Sequence, residues 1–398
     1  MKVLAFGYVP KWKGGKQLTG LATGIFDLHN AINELDNDIQ VTLAATDIHL
    51  SRTHIDSTPI VGWNKRTLLK FALTQVNTIL SATLLLWKHR EFWSILRPIK
   101  ALPKILFIHY AIKKENPDVV HFHGASWCAL SKAIDDQGHK KILRIHGING
   151  NNTSIPGYKK HQLLEKTVGE VSFDSVSFVA ESVAKTWNRE YGAPAEKQFV
   201  VVNGFDSGIF QVTPTSSQNK KFDLITIGAL TDNKGQMRVL KALYMIQESG
   251  HSLSYLIVGD GDSTYRQELI AFVKLHNLNV EFLDYVPQTQ LPQLLSISSF
   301  FILPSQREGF GKVFIESIAC GTPVLIPRHL PLVQEDGILS EVNSIIMDGS
   351  EPSQIQKTLH NLVHQPVRYN RDEVSKSIQH LSWPILAKEY CKYIAQLS

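Results

Sequence analysis

The sequence predicts an α/β protein built from two parallel-sheet domains. Three observations carry that prediction. A chain of 398 residues exceeds what one hydrophobic core usually holds. Short apolar strands alternate with helical stretches from Val3 to about Met347. Glycine-rich loops recur where strands give way to helices. Helices should cover both faces of each sheet, and ligands in such sheets collect at the carboxyl ends of the strands. Two domains of this kind are expected to face each other across a cleft.

Val3 to Phe6 is the first apolar strand. A loop from Tyr8 to Lys16 follows, with Gly14 and Gly15 near its end, and then a helix from about Leu18 to Leu35. Pro117-Asp118-Val119-Val120-His121-Phe122-His123-Gly124 and Arg144-Ile145-His146-Gly147 each read as a strand end closed by histidine and glycine. Phe210 to Lys221 is polar, rich in Ser and Thr and aperiodic, which marks a linker. Domains are therefore expected at 1–210 and 211–380. A last helix around Trp383 to Gln396, within 381–398, carries Ile385, Leu386, Tyr390, Tyr393 and Ile394 at helical spacing. No internal repeat is visible.

The most informative stretch runs from Pro304 to Val324, with the pattern PSxxEGFGxxxxExxACGxPV. Phe300 to Leu303 is an apolar strand that Pro304 and Ser305 end, and the loop through Gly309 and Gly311 leads into a helix from about Lys312 to Ala319. The first amides of a helix have no partner within it, so an anion such as a diphosphate can occupy them. Glycine lets the backbone approach a ligand and take positive φ. Glu308 sits at the mouth of the loop and Glu316 lies inside the helix, where a carboxylate suits the two hydroxyls of a ribose better than phosphate. Gly321-Thr322-Pro323 stops the helix before a strand from Val324 to Ile326. On spacing alone an ordinary β-loop-α unit with two surface glutamates explains the pattern equally well.

Taken whole, the motif resembles the signature of family 4 retaining glycosyltransferases, the group 1 enzymes of bacterial surface polysaccharide synthesis. These have the GT-B fold: two Rossmann-like domains facing a cleft, with a C-terminal helix crossing back to the first. Other segments resemble the family over almost the whole chain. Ile225 to Leu230 with Lys234-Gly235 resembles its donor phosphate loop, Leu256 to Gly261 the next strand and turn, Asp284 to Pro287 the loop against the base, and Asn203 to Asp206 the element before the linker. The resemblance implies that Lys234, the backbone from Gly309 through Phe310 and Gly311 to Lys312, Gly228, and Arg238 hold the donor diphosphate, joined by Gly14 and Gly15 from the first domain. It implies that Glu316 anchors the ribose, that Glu308 and His146 orient the sugar as the catalytic pair, and that His123 and Lys16 lie on the acceptor side. One departure stands out: the family usually places arginine where this chain has Ala229, and a lost charged hydrogen bond costs about 1.5–3 kcal/mol.

Charge is uneven. The first 210 residues hold 25 Lys+Arg against 18 Asp+Glu, and between Lys65 and Lys114 ten cations face only Glu91. Apolar residues such as Phe71, Leu84, Trp87 and Trp93 are interleaved with them, as in a helix that lies on an anionic membrane surface. A packed core face with solvated cations gives the same pattern. The longest uncharged run, Phe71 to Trp87, is too polar and short to span a bilayer. A net charge of +5 without a recognition motif argues against nucleic acid. Three scattered cysteines and no apolar leader give the expectation of a cytoplasmic protein, and residues 65–114 offer it a peripheral contact with the inner face of the cytoplasmic membrane.

Asp36-Asn37-Asp38 and Asp260-Gly261-Asp262 have the DxD form of metal-binding transferases, but both fall where aspartate is favoured for local reasons. No metal or cofactor is expected, because helix-end amides and lysines can stabilise a leaving diphosphate. The expected function is retaining, metal-independent transfer of a sugar from a nucleoside diphosphate sugar to a glycan or lipid-linked acceptor hydroxyl. A nucleotide-sugar-binding protein without transferase activity, and an epimerase or phosphorylase of the same fold, share these features.

Overall fold

The computed structural model describes residues 1–17, 20–46, 48, 53–74, 76–77, 79–80, 98–124, 138–148, 150, 158–169, 172–192, 197–213 and 220–397. The chain forms two compact units, Met1–Asn203 with Trp383–Ser398, and Gly204–Ser382. The passage into the second unit comes seven residues before the expected boundary at 210. The reason is local: Phe205 donates its amide to Leu381 O at 3.2 Å, and Phe210, 1% exposed, is bound to Asp206. Of the expected linker, residues 214–219 lie outside the described residues.

Among the described residues, the N-terminal unit forms an eight-stranded sheet with strand order β3-β4-β2-β1-β5-β6-β7-β8. The strands are β1 (Lys2–Gly7), β2 (Gln40–Ala45), β3 (His54–Ile55), β4 (Thr58–Val61), β5 (Val119–His123), β6 (Lys140–Ile145), β7 (Ser175–Phe178) and β8 (Lys197–Val200). All pairs are parallel except β3 with β4, a hairpin whose turn places Asp56 at φ 48°. That antiparallel edge corrects the expectation of a wholly parallel sheet; a two-residue link between strands permits no crossover. The helices are α1 (Gly20–Glu34), α2 (Lys65–Thr74), α3 (Pro98–Glu115), α4 (Tyr158–Gly169), α5 (Glu181–Tyr191) and, from the chain's end, Trp383–Ala395.

The two faces of this sheet differ. On one, Phe6 stacks on its register partner Phe122, with centroids 5.4 Å apart, and meets Phe107 of α3 edge-on. On the other, the strand period of two sets His121 and His123 beside the apolar run, and parallel register aligns His123 with Arg144 and Arg144 with Ser177. The terminal helix packs on α1 and brings Tyr390 to this polar layer, within 2.9 Å of Ser177 Oγ and 3.0 Å of His121 Nε2. Strand order reverses between β1 and β5, which puts the switch point beside Gly7 and His123.

The C-terminal unit is an all-parallel six-stranded sheet with strand order β11-β10-β9-β12-β13-β14. Its strands are β9 (Phe222–Ile227), β10 (Tyr255–Val258), β11 (Val280–Leu283), β12 (Ser298–Ile302), β13 (Val324–Pro327) and β14 (Ser344–Met347). Its helices are α6 (Gln236–Glu248), α7 (Ser263–His276), α8 (Leu291–Ser296), α9 (Lys312–Ala319), α10 (Pro352–His364) and α11 (Arg371–Lys376), which makes the terminal helix α12. Leu240, Leu243 and Ile246 of α6, Leu269 of α7 and Ile355 and Leu359 of α10 close one core over β9 and β10. The switch point lies between β9 and β12, where the loops 228–235 and 303–311 emerge. Among the described residues, no helix is long and apolar enough to cross a membrane.

Candidate active site

The loop after β9 is shaped by close backbone approach. A Cβ on Gly259, which sits at φ 150°, would lie 1.9 Å from Gly228 O, and one on Gly261 would lie 2.4 Å from Leu230 O. Glycine is therefore required where these two strand ends cross. Past exposed Ala229 the chain makes a tight turn over Asp232–Lys234, and Gly235 at φ 78° starts α6.

The loop after β12 is laced to that turn. Gln306 donates its amide to Asn233 O at 2.8 Å, and Asn233 Nδ2 donates to Arg307 O at 3.2 Å. Arg238, 8% exposed, donates to Pro304 O at 2.9 Å and to Asn233 O at 3.4 Å, and pairs with Asp232 at 3.5 Å. Its guanidinium thus braces the two loops from below.

Lys234 and Glu308, 74 residues apart in sequence, meet at the mouth of this loop pair. Lys234 Nζ lies 2.6 Å from Glu308 Oε1, and Ser305 Oγ donates to the same oxygen at 2.6 Å. The side chains are 23% and 12% exposed, so the pair is partly screened from water without being sealed. α9 begins on Gly311 at φ 88°, whose side no Cβ could occupy because Phe314 would lie 2.8 Å away. No side chain caps this helix start. Phe314 donates its amide to Gly311 O there at 2.9 Å, and a helix start of this kind attracts anions through its dipole. Lys312 Nζ lies 3.3 Å from Glu316 Oε1, one turn further along, with both side chains nearly buried. Phe310 is 2% exposed, so its ring anchors the loop.

The remaining predicted residues belong to the N-terminal unit. Gly14, at φ 93°, closes a short turn over Lys11–Lys13, Gly15 donates its amide to Pro10 O, and Lys16 is exposed beyond it. His123 ends β5 and His146 follows β6, with His123 Nδ1 2.9 Å from His146 Nε2. Burial holds both rings well below the usual histidine pKa, and the Arg144 charge pushes the same way. Arg144 is 1% exposed and donates to Val201 O at 2.7 Å and Asn203 Oδ1 at 3.4 Å.

In the second acidic motif Asp260 Oδ1 accepts from the Gly261 amide at 2.8 Å. Asp262 caps α7 by accepting from the Tyr265 amide at 2.9 Å, and Asn37 Oδ1 accepts from Ile39 N at 2.6 Å. Sequence reasoning missed Ser305 as a partner of Glu308, and it missed His29, His121, Arg144 and Tyr390 around His123. The alternation of His121 and His123 about Phe122 was the available signal for the second group.

Fold and loops together define an α/β protein of the GT-B class, with a glycine-rich loop and a helix start at the switch point of its C-terminal sheet. The family model described as "Glycosyltransferase Family 4" matches residues 20–208, and that described as "Glycosyl transferases group 1" matches residues 211–377. The chain belongs to these family 4, group 1 glycosyltransferases. It is 26% identical over 230 residues to the O-antigen biosynthesis glycosyltransferase WclY of Escherichia coli, covering 55% of this chain and 63% of that one. It is 22% identical over 268 residues to the phosphatidylinositol N-acetylglucosaminyltransferase gpi3 subunit of Schizosaccharomyces pombe, covering 63% of this chain and 58% of the relative. The chain thus matches about three-fifths of the length of either relative. The crystal structure of HepE from Anabaena in complex with UDP shares the fold, with a TM-score of 0.73, 15% identity and full coverage of both chains.

Proposed function

We propose that this protein is a retaining glycosyltransferase that moves a sugar from a nucleoside diphosphate sugar to a glycan or lipid-linked acceptor hydroxyl in cell-surface polysaccharide or glycolipid synthesis. The observation that carries this reading is the Lys234–Glu308 pair at the open mouth of the 304–311 loop, beside the uncapped start of α9. A diphosphate entering there competes for Lys234 and takes the α9 amides. Glu308, still held by Ser305, is then released to accept from sugar hydroxyls. Glu316 accepts from the ribose, and Lys312, its neighbour, exchanges that carboxylate for phosphate oxygen. Lys234 and the amides stabilise the leaving diphosphate, so the chemistry calls for no metal. The leaving phosphate oxygen itself takes the acceptor proton on the face where the sugar departs, which gives retention without a separate base.

The family membership supports this reading, as do the named activities of WclY and the gpi3 subunit on surface glycan and phosphatidylinositol. HepE was solved with UDP, which supports a nucleoside diphosphate ligand. We place the protein in the cytoplasm at the inner face of the membrane. Leu69, Leu73, Val76 and Leu80 recur at helical spacing along and just beyond α2 and are 57–73% exposed. Lys65, Arg66 and Lys70 share that segment. An apolar stripe flanked by cations fits an anionic lipid surface. Residues 75, 78 and 81–97 of the basic segment lie outside the described residues.

The reading is tested by thermal shift with a panel of nucleoside diphosphates and nucleotide sugars, with and without EDTA. A rise in melting temperature confined to one base class and retained in EDTA is the expected result. No shift from any ligand would remove the donor site from the account.

A further inference from the structure

Three histidines of the N-terminal unit form a hydrogen-bonded row. His29 Nε2 on α1 lies 2.7 Å from His123 Nε2 on β5, and His123 Nδ1 lies 2.9 Å from His146 Nε2 after β6. His29 and His123 are buried, whereas His146 is partly exposed at the strand end. Two nitrogens on one tetrahedral zinc, each at about 2.1 Å, lie roughly 3.4 Å apart, so the 2.7 Å contact fits a shared hydrogen and not a bridging metal. Burial, and with it the nearby Arg144 cation, lowers the pKa of all three rings and so favours their neutral form.

A neutral imidazole has one N–H and one lone pair, so the row has only two polarities. In the first, His29 Nε2–H donates to His123, His123 Nδ1–H donates to His146, and His146 carries its hydrogen on Nδ1. In the second every bond is reversed and His146 Nδ1 is a bare lone pair. The other end decides between them. His29 Nδ1 is buried without a partner. The first polarity strands a lone pair there, and the second strands an N–H, which is the rarer defect in folded proteins.

We propose that His29 and His123 are positioning residues that fix His146 in its Nδ1–H tautomer, so that the row ends at the carboxyl edge of the sheet in a hydrogen-bond donor and not in a base. That the recipient is a hydroxyl or phosphate oxygen of the donor sugar rests on the glycosyltransferase reading. The row carries no proton away from the site, because the reverse shift would leave a hydrogen on His29 Nδ1 with nothing to accept it.

The test is long-range proton–nitrogen NMR of the full chain labelled with ¹⁵N-histidine, with the His146 signals assigned by their loss in His146→Asn. The expected result is hydrogen on His146 Nδ1; hydrogen on Nε2 overturns the proposal. The wild-type spectrum decides this whether or not buried-site variants fold. His29→Gln, whose amide donates from the same reach, should keep the tautomer and stay within about twofold of wild-type kcat and KM. His29→Leu should give mixed tautomers and lower kcat at least threefold, and equal behaviour of the two variants contradicts a positioning role. A protein that shows the Nδ1–H tautomer but transfers no sugar would sink the functional reading alone, so the two failures are distinguishable.

Discussion

Lowering the pH from 7.5 to 5.5 should cost the N-terminal unit about 1.4 kcal/mol of stability through His29 alone, with three more buried histidines acting the same way. His29 is held at a pKa of about 3 by burial and then by the Arg144 charge, against 6.5 in the unfolded chain. His121, His123 and His146 also lie well below 6.5, chiefly through burial. The sign follows from proton counting. Between pH 6.5 and 3 the unfolded chain binds a proton at His29 and the folded chain does not, so this contribution is full above 6.5 and is lost as the pH falls. At pH 5.5 the unfolded form of His29 is stabilised by RT ln 11, about 1.4 kcal/mol, and the other three histidines act in the same direction. Even one such site is a sizeable part of the stability of an ordinary domain, about 5–15 kcal/mol. All seven tryptophans lie in the N-terminal unit, so urea titrations followed by tryptophan fluorescence report on it selectively. The midpoint should drop steeply between pH 7.5 and 5.5, and His29→Leu should flatten that drop by about 1.4 kcal/mol. Equal midpoints at the two pH values would refute the neutral-histidine account.

Glu308→Gln should lower kcat well beyond threefold, since the amide keeps the volume but loses the charge held by Ser305 and Lys234; a loss under about threefold defeats its role. Glu316→Ala should act on donor KM more than on kcat, and an unchanged KM in steady-state kinetics removes it from the ribose site. Ala229 is exposed, so Ala229→Arg has room to restore a cation; donor affinity measured by calorimetry should tighten about tenfold or more, matching a charged hydrogen bond of 1.5–3 kcal/mol. Leu73→Asp, at a position 73% exposed, should abolish sedimentation with anionic vesicles without moving the melting temperature, and retained binding would clear α2 of membrane contact.

What the sequence revealed was what is decided locally. The helix from Lys312 to Ala319 begins and ends where its glycines and its Gly-Thr-Pro stop dictate, and Asp262 caps α7 as its turn position requires. Contacts made across long sequence separations were not readable. No pattern announces that Lys234 meets Glu308 across 74 residues, or that Arg238 is spent on the carbonyls of Asn233 and Pro304. The change of unit at Asn203–Gly204 was hidden because composition marks the polar stretch, whereas the chain is actually captured earlier by Phe205 and Phe210. The polar layer was half legible. Period-two spacing puts His121 and His123 on one face, but only the fold brings His29, Arg144 and Tyr390 to meet them.

The most direct measurement is transfer itself: the full-length protein, the nucleotide sugar picked out by thermal shift, and a lipid-linked glycan acceptor, with product followed by mass spectrometry and anomeric configuration by NMR. The account predicts nucleoside diphosphate released in step with a glycosylated product of the donor's own configuration, unchanged by EDTA and strongly reduced in Glu308→Gln. Donor that binds but is never transferred, or a product of inverted configuration, would contradict it.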